Sequence, residues 1–319
     1  MSWKHRIVDL LIAVWLPLPA RVLRFLRYRF RYFPLSKAVM IRAGVFPVID
    51  HYHDAFYDPA TLRDLRAPRP LPAIDFNLAA QIALLEALPE APELAALPEA
   101  PTGDRGFHLA NNMFEHGDAE LWYQVIGHFR PRRIIEVGSG HSTKIARLAI
   151  DRAALTDPDY RCDHVCIDPF APDWLDSLGP RVLRQKVEAT SLDLFRQLER
   201  DDILFIDSSH VIRPQGDVLF QYLHLLPVLA PGVIVHIHDV FSPRDYPDTW
   251  LRDRVYFWNE QYLVEAFLSH NTEWEILLAG NMLMHEAYDL LKSRCLHLDR
   301  DREPRSLYIR RLSPRVPGA

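Results

Sequence analysis

Residues 134–143 read Ile134-Ile135-Glu136-Val137-Gly138-Ser139-Gly140-His141-Ser142-Thr143, an apolar strand, a glycine turn and the start of a helix. Gly138 and Gly140 remove side chains where the chain must turn, so a ligand can approach the backbone closely. The helix that follows presents N–H groups without intrahelical partners to a polar cofactor. A nucleotide-type ligand is the natural occupant. The dinucleotide pattern G-x-G-x-x-G is incomplete, because Thr143 stands where its third glycine would be, and this weakens a nicotinamide or flavin reading.

Outward from this turn the chain alternates β-branched runs with helical stretches, the pattern of a mostly parallel sheet with crossover helices. The runs predict strands at 133–137, 164–168, 182–187, 203–207, 232–238, 274–279 and 306–311. A helix is predicted over 118–129, with Leu121, Val125 and Phe129 on one side and Pro131 closing it. Upstream, Asn77 is a plausible cap for a helix that shares Leu78, Ile82 and Leu85 on one face. Pro89, Pro92, Pro98 and Pro101 then mark the boundary between a helical N-terminal segment, 1–100, and a main domain, 101–319.

With Glu136-x-Gly138-x-Gly140 on the page, the chain resembles class I S-adenosylmethionine-dependent methyltransferases at their first motif, and the string from Glu136 to Thr143 resembles the methyltransferase-24 family. The resemblance runs from about Asn112 to Arg311. It implies an α/β, Rossmann-like class I methyltransferase fold: a seven-stranded, mostly parallel sheet whose antiparallel last strand inserts between the fifth and sixth, with a helical N-terminal extension. It also implies S-adenosylmethionine as cofactor. Gly138, Ser139 and Gly140 would lie against its amino-acid moiety and Glu136 would help hold its ammonium group. Ser142 replaces a third glycine sometimes present. Asp168, ending the second strand, can accept two hydrogen bonds from ribose hydroxyls. Glu188, after the third strand, is a weaker candidate for the adenine end.

The fourth strand delivers Asp207 and His210, and the fifth His238 and Asp239, all to the cofactor edge of a parallel sheet. Two mechanisms can use them. Asp207, His238 and Asp239 could hold a divalent cation, Mg²⁺ or Mn²⁺, which lowers the pKa of an acceptor hydroxyl; the resemblance to metal-dependent O-methyltransferases implies this, with an imidazole where an oxygen ligand is usual. Alternatively His210 or His238 takes the proton directly, with Asp239 completing the set. The acceptor is read as a small-molecule or sugar hydroxyl, with His51, Tyr52, His53 and Tyr246 as substrate contacts and Arg244 and Asp245 shaping acceptor choice. Cys162, His164 and Cys166 would share one sheet face without an evident fourth ligand, so they read as strand packing rather than zinc.

The bulk numbers fit this reading. A chain of 319 residues, 49% hydrophobic and 25% charged, can bury a full core. A net charge of −5 gives no whole-protein field for nucleic acid, and three cysteines form no disulfide framework, which points to the cytoplasm. The apolar run 10–19, followed by Arg21, Arg24, Arg27, Arg29 and Arg31, is short for a spanning helix. It reads as packing on the main domain or a partner, as peripheral contact with an anionic membrane, or as a cleaved signal. A homo-oligomer is expected. A catalytically silent scaffold of the same fold and an NAD(P)-dependent oxidoreductase stand as alternatives.

Overall fold

The computed structural model describes residues 2–101 and 106–313, so parts of both ends of the main domain read from the sequence lie outside the described residues. The chain divides into two compact units, Met1–Arg63 with Thr249–Phe257, and Asp64–Asp248 with Trp258–Ala319. The smaller unit carries helices α1 (Trp3–Trp15), α2 (Pro17–Leu26) and α3 (Pro34–Arg42). Within it Arg27 pairs with Asp54, the Tyr57 hydroxyl donates to Tyr256 O at 2.8 Å, and Arg252 donates to Pro59 O at 2.7 Å and Leu62 O at 2.9 Å. Among the described residues no helix is long and apolar enough to cross a membrane.

The larger unit is built on seven strands: β1 (Arg133–Val137), β2 (Asp163–Ile167), β3 (Arg181–Leu183), β4 (Ile203–Ile206), β5 (Ile234–Ile237), β6 (Trp274–Ala279) and β7 (Leu307–Arg311). Their order is β3-β2-β1-β4-β5-β7-β6, and β7 runs antiparallel to both β5 and β6. This is the sheet the sequence implied. The third strand is shorter than expected because Val187 has already entered a short 3-10 turn, Val187–Ala189.

Both faces of the sheet are covered, which is why its strands are apolar at nearly every position. Ile135, Val137, Leu204, Ile206, Val235 and Ile237 face one core. Ile134, Phe205 and Ile234 face the other, with Trp122 of α5 (Asp118–Phe129) and Ile145 of α6 (His141–Thr156). Period-2 alternation puts Glu136, His164, Cys166, His236 and His238 on the side of α5 and α6. That face therefore carries the polar groups.

Residues 64–101, grouped by their prolines with the N-terminal segment, fall in the larger unit. The reason is packing. Leu85 of α4 (Leu78–Ala87) is fully buried, and Gln81 accepts the Ala279 N–H at 2.7 Å beside β6. Pro92 opens a 3-10 turn, Pro92–Ala96, whose Leu94 is buried. Asn77 does sit at the N-cap, but its φ is 45° and its side chain makes no capping bond.

The carboxyl ends of four strands are stitched in a row. Gly138 N–H donates to Ile167 O at 3.0 Å, Asp207 N–H to Val137 O at 2.8 Å, and His238 N–H to Ile206 O at 3.0 Å. Gly138 has φ +87°, and a Cβ there would lie 1.9 Å from the Asp207 carbonyl oxygen. Only glycine fits. Gly138→Ala should cost at least about 2 kcal/mol and lower the thermal midpoint by several degrees; an unchanged midpoint in calorimetry would show that the two strand ends separate freely.

Candidate active site

Beyond the sheet edge the glycine turn opens. Gly140 has open space where a Cβ would stand, so a ligand can reach the backbone there. Ser139 Oγ donates to Asp168 Oδ2 at 3.1 Å, and Asp168 Oδ1 accepts the Phe170 N–H at 2.8 Å. Asp168 is thus fixed beside the turn and half-buried. Glu188 lies after β3, with Lys186 Nζ 3.9 Å away.

Glu136 is held from within. It is fully buried, its Oε2 accepting from Thr143 Oγ1 at 2.6 Å and Ser142 Oγ at 3.2 Å, its Oε1 3.1 Å from His164 Nε2. The carboxylate therefore ties β1 to the first turn of α6 and to β2. Ser142 is engaged in the same tie. Cys166 Sγ lies 3.9 Å from His164 Nε2, and burial pushes its thiol pKa well up, leaving a neutral group inside the core. Cys162 is pushed up by burial to about 12. Cys162 stands apart from this tie, whereas the donor atoms of Glu136, His164 and Cys166 all lie within 4.8 Å of one another.

At the ends of β4 and β5 the structure brings Asp207, His210, His238 and Asp239 together. His210 Nε2 lies 3.2 Å from both Asp207 Oδ1 and Asp239 Oδ2. His238 Nδ1 lies 3.5 Å from Asp207 Oδ1 and from Asp239 Oδ1. Three further residues, which the sequence did not single out, complete the cluster: Asp118, Glu260 and Arg305. Glu260 Oε2 is 2.9 Å from His210 Nδ1, Asp118 Oδ2 is 3.6 Å from His238 Nε2, and Arg305 Nε is 2.9 Å from Asp239 Oδ1. Asp118 and Glu260 each open a helix, α5 and α9 (Glu260–Leu268), where the helix dipole favours a carboxylate.

Backbone strain marks the same place. His210 and Asp239 both adopt left-handed φ, 58° and 61°, which non-glycine residues rarely hold without compensation. The compensation for His210 is visible: its carbonyl accepts the N–H groups of Asn259 and Glu260, and its ring packs on Trp258 with centroids 4.4 Å apart.

Electrostatics decides the protonation. Burial opposes charge on His238, but Asp239, Asp207 and Asp118 outweigh it and raise its pKa to about 9. Burial likewise opposes charge on His210, and hydrogen bonds to Asp207 and Glu260 with the charge of Asp239 carry it well above the usual range. Against its own burial, Asp207 is held low by His238 and His210. His236 goes the other way: buried, with its Nε2 2.9 Å from Ser306 Oγ and its ring stacked on Tyr308, it is held neutral.

Tyr246 is a correction. It is fully buried, its hydroxyl accepting the Gln261 N–H at 3.1 Å and its ring against Phe241, Trp258 and Tyr262, so it shapes the start of α9 instead of lining open space for an acceptor. Arg244 and Asp245 are also structural: Arg244 Nε donates to Arg66 O at 2.9 Å, and Asp245 pairs with Arg69 at 3.1 Å. His51, Tyr52 and His53 belong to the smaller unit, where their rings stack on one another at 3.9–5.3 Å.

A sheet of this order, with a glycine turn after β1 and an antiparallel β7 between β5 and β6, defines the class I methyltransferase fold. Within it, residues 135–240 match the family model Methyltransf_24, described as a methyltransferase domain. The chain is 29% identical over 137 residues to an uncharacterized protein of Archaeoglobus fulgidus, a match covering 41% of this chain and 60% of that one. It thus spans less than two thirds of that relative. Among solved structures it is similar to an O-methyltransferase from Bacillus cereus in complex with SAH, at 11% identity and TM-score 0.33, covering 75% of this chain and 91% of that one. It is also similar to MycE, a methyltransferase of mycinamycin biosynthesis in complex with Mg, SAH and mycinamycin VI, at 14% identity and TM-score 0.34, covering 62% and 51%.

The raised pKa of His238 has a stability consequence. A folded pKa of about 9 against 6.5 for the unfolded group means the imidazolium's contribution is fully present below pH 6.5 and is lost as pH rises through about 9. In metal-free protein the thermal midpoint should fall across that window, by on the order of 3 kcal/mol of stability at most, and His238→Gln should flatten the profile; an equally steep decline in the variant would place the titrating group elsewhere.

Proposed function

We propose that the chain is an S-adenosylmethionine-dependent methyltransferase acting on an oxygen of a small-molecule or sugar hydroxyl, with a divalent cation assisting. The observation that carries this reading is the row of stitched strand ends, which sets an open glycine turn and Asp168 beside the buried cluster of Asp207, His238 and Asp239. Bound S-adenosylmethionine would supply a methyl group already activated by its sulfonium. Gly138, Ser139 and Gly140 offer backbone to its amino-acid end, Asp168 accepts from the ribose, and Glu188 stands toward the adenine end. Asp207 joins the two halves, cofactor side and reaction side.

The cluster fits a cation. His238 Nδ1 is buried with no hydrogen bond and faces two carboxylate oxygens, and the donor atoms of Asp207, His238 and Asp239 all lie within 4.8 Å of one another. These three residues would hold Mn²⁺ or Mg²⁺, which would supply Lewis acidity toward the acceptor hydroxyl. Direct proton abstraction by His210 or His238 has less support, because the surrounding carboxylates keep both rings protonated near neutral pH. The chain's own part is then to orient. Holding donor and acceptor in line can contribute roughly 7 to 11 kcal/mol, and the fixed Asp207 and Asp239 are placed to do so. The antiparallel β7 also separates this sheet from the all-parallel nicotinamide fold.

Calorimetric titration of folded, metal-stripped protein with S-adenosylmethionine should show micromolar binding, weakened at least about tenfold in Asp168→Ala by loss of a charge-assisted hydrogen-bond pair, with no response to NADH. Mn²⁺ binding followed by electron paramagnetic resonance should be lost in Asp239→Asn while S-adenosylmethionine binding persists. Absence of S-adenosylmethionine binding under every metal condition would overturn the enzyme reading in favour of a silent scaffold; Mn²⁺ binding unmoved by Asp239→Asn would overturn the metal assignment alone.

A further inference from the structure

The smaller unit presents an exposed apolar surface. Helices α1 and α2 run on through Leu16, which keeps helical dihedrals (φ −63°, ψ −31°), with Leu16 N–H donating to Ile12 O at 2.8 Å and Ala20 N–H to Leu16 O at 3.0 Å. Along this rod Ile7, Leu11, Val14, Leu18, Val22 and Phe25 recur at intervals of three and four residues, which places them on one face. All six are exposed, between 49% and 78%. The row is about 27 Å long at 1.5 Å per residue. No residue of α1 is buried.

Charge identifies what covers it. Residues 1–49 hold nine Lys and Arg against a single acid, Asp9, although the whole chain has 37 Lys and Arg against 42 Asp and Glu. Arg6, Arg21 and Arg24 border the apolar row. An exposed apolar row of this length marks an interaction surface. A second copy of the same face would set these arginines against each other, whereas an anionic lipid surface accepts the apolar side chains at its acyl boundary and the arginines at its headgroups.

We propose that α1 and α2 lie in the plane of an anionic membrane surface, with Ile7, Leu11, Val14, Leu18, Val22 and Phe25 turned into it. The test is flotation of the full chain with vesicles of phosphatidylcholine containing phosphatidylglycerol, beside vesicles of phosphatidylcholine alone, at low and high salt. Binding should require the anionic lipid, fall with salt, vanish in Leu11→Glu/Leu18→Glu, and weaken on the order of tenfold or more in Arg21→Glu/Arg24→Glu. These positions are exposed, so both double variants should unfold at the wild-type midpoint. Equal binding to neutral vesicles, or binding indifferent to the arginine pair, would overturn the proposal. So would absence of vesicle binding; a concentration-dependent dimer dissolved by Leu11→Glu/Leu18→Glu would then assign the row to a second copy.

Discussion

The contact between Gly138 and Asp207 governs the larger unit. Because the Asp207 carbonyl oxygen occupies the place where a Cβ of residue 138 would stand, the turn after β1 and the end of β4 cannot move independently. The backbone bonds on either side, Gly138 to Ile167 and His238 to Ile206, extend that rigidity to β2 and β5. Glu136 anchors the turn from beneath through Thr143, Ser142 and His164. A ligand on the glycine turn is therefore held at a fixed distance from Asp207, and in-line transfer needs that kind of fixed distance.

The charge cluster is tolerable only as a whole. Asp118, Asp207, Asp239 and Glu260 bring four carboxylates into a largely buried space, offset by Arg305 and by the two imidazolium rings of His210 and His238. An unpaired buried charge would be costly, so the protons on the histidines are part of the fold in the absence of another cation. A divalent ion bound there would replace the His238 proton in offsetting this excess of negative charge, since a liganding imidazole must be neutral. The left-handed backbone at His210 and Asp239 shows that the fold accepts local strain to bring these groups into register.

How much of this was legible follows from the range of each interaction. The strands and the glycine turn were readable because hydrophobic period and turn chemistry are local, while the insertion of β7 followed only from the resemblance to class I methyltransferases. Asp118, Glu260 and Arg305 were not: each sits in a helix start or loop where an ordinary cap or solvated charge has the same sequence appearance, and only the topology brings residues 118, 210, 238, 260 and 305 together. The tie between Glu136 and His164 was not legible, because His164 lies 28 residues away on the neighbouring strand. Tyr246 failed for the opposite reason, since an aromatic in a proline-flanked loop gives no sign of being fully buried.

Averaging hides a further property. A net charge of −5 over 319 residues describes neither the first 49 residues, which are strongly basic, nor the rest of the chain, where nearly all the acids lie. Long-range electrostatics acts on the local field, screened within about 8 Å at physiological salt, and not on the chain's sum. The basic first 49 residues and the acidic remainder therefore interact with an anionic surface with opposite sign.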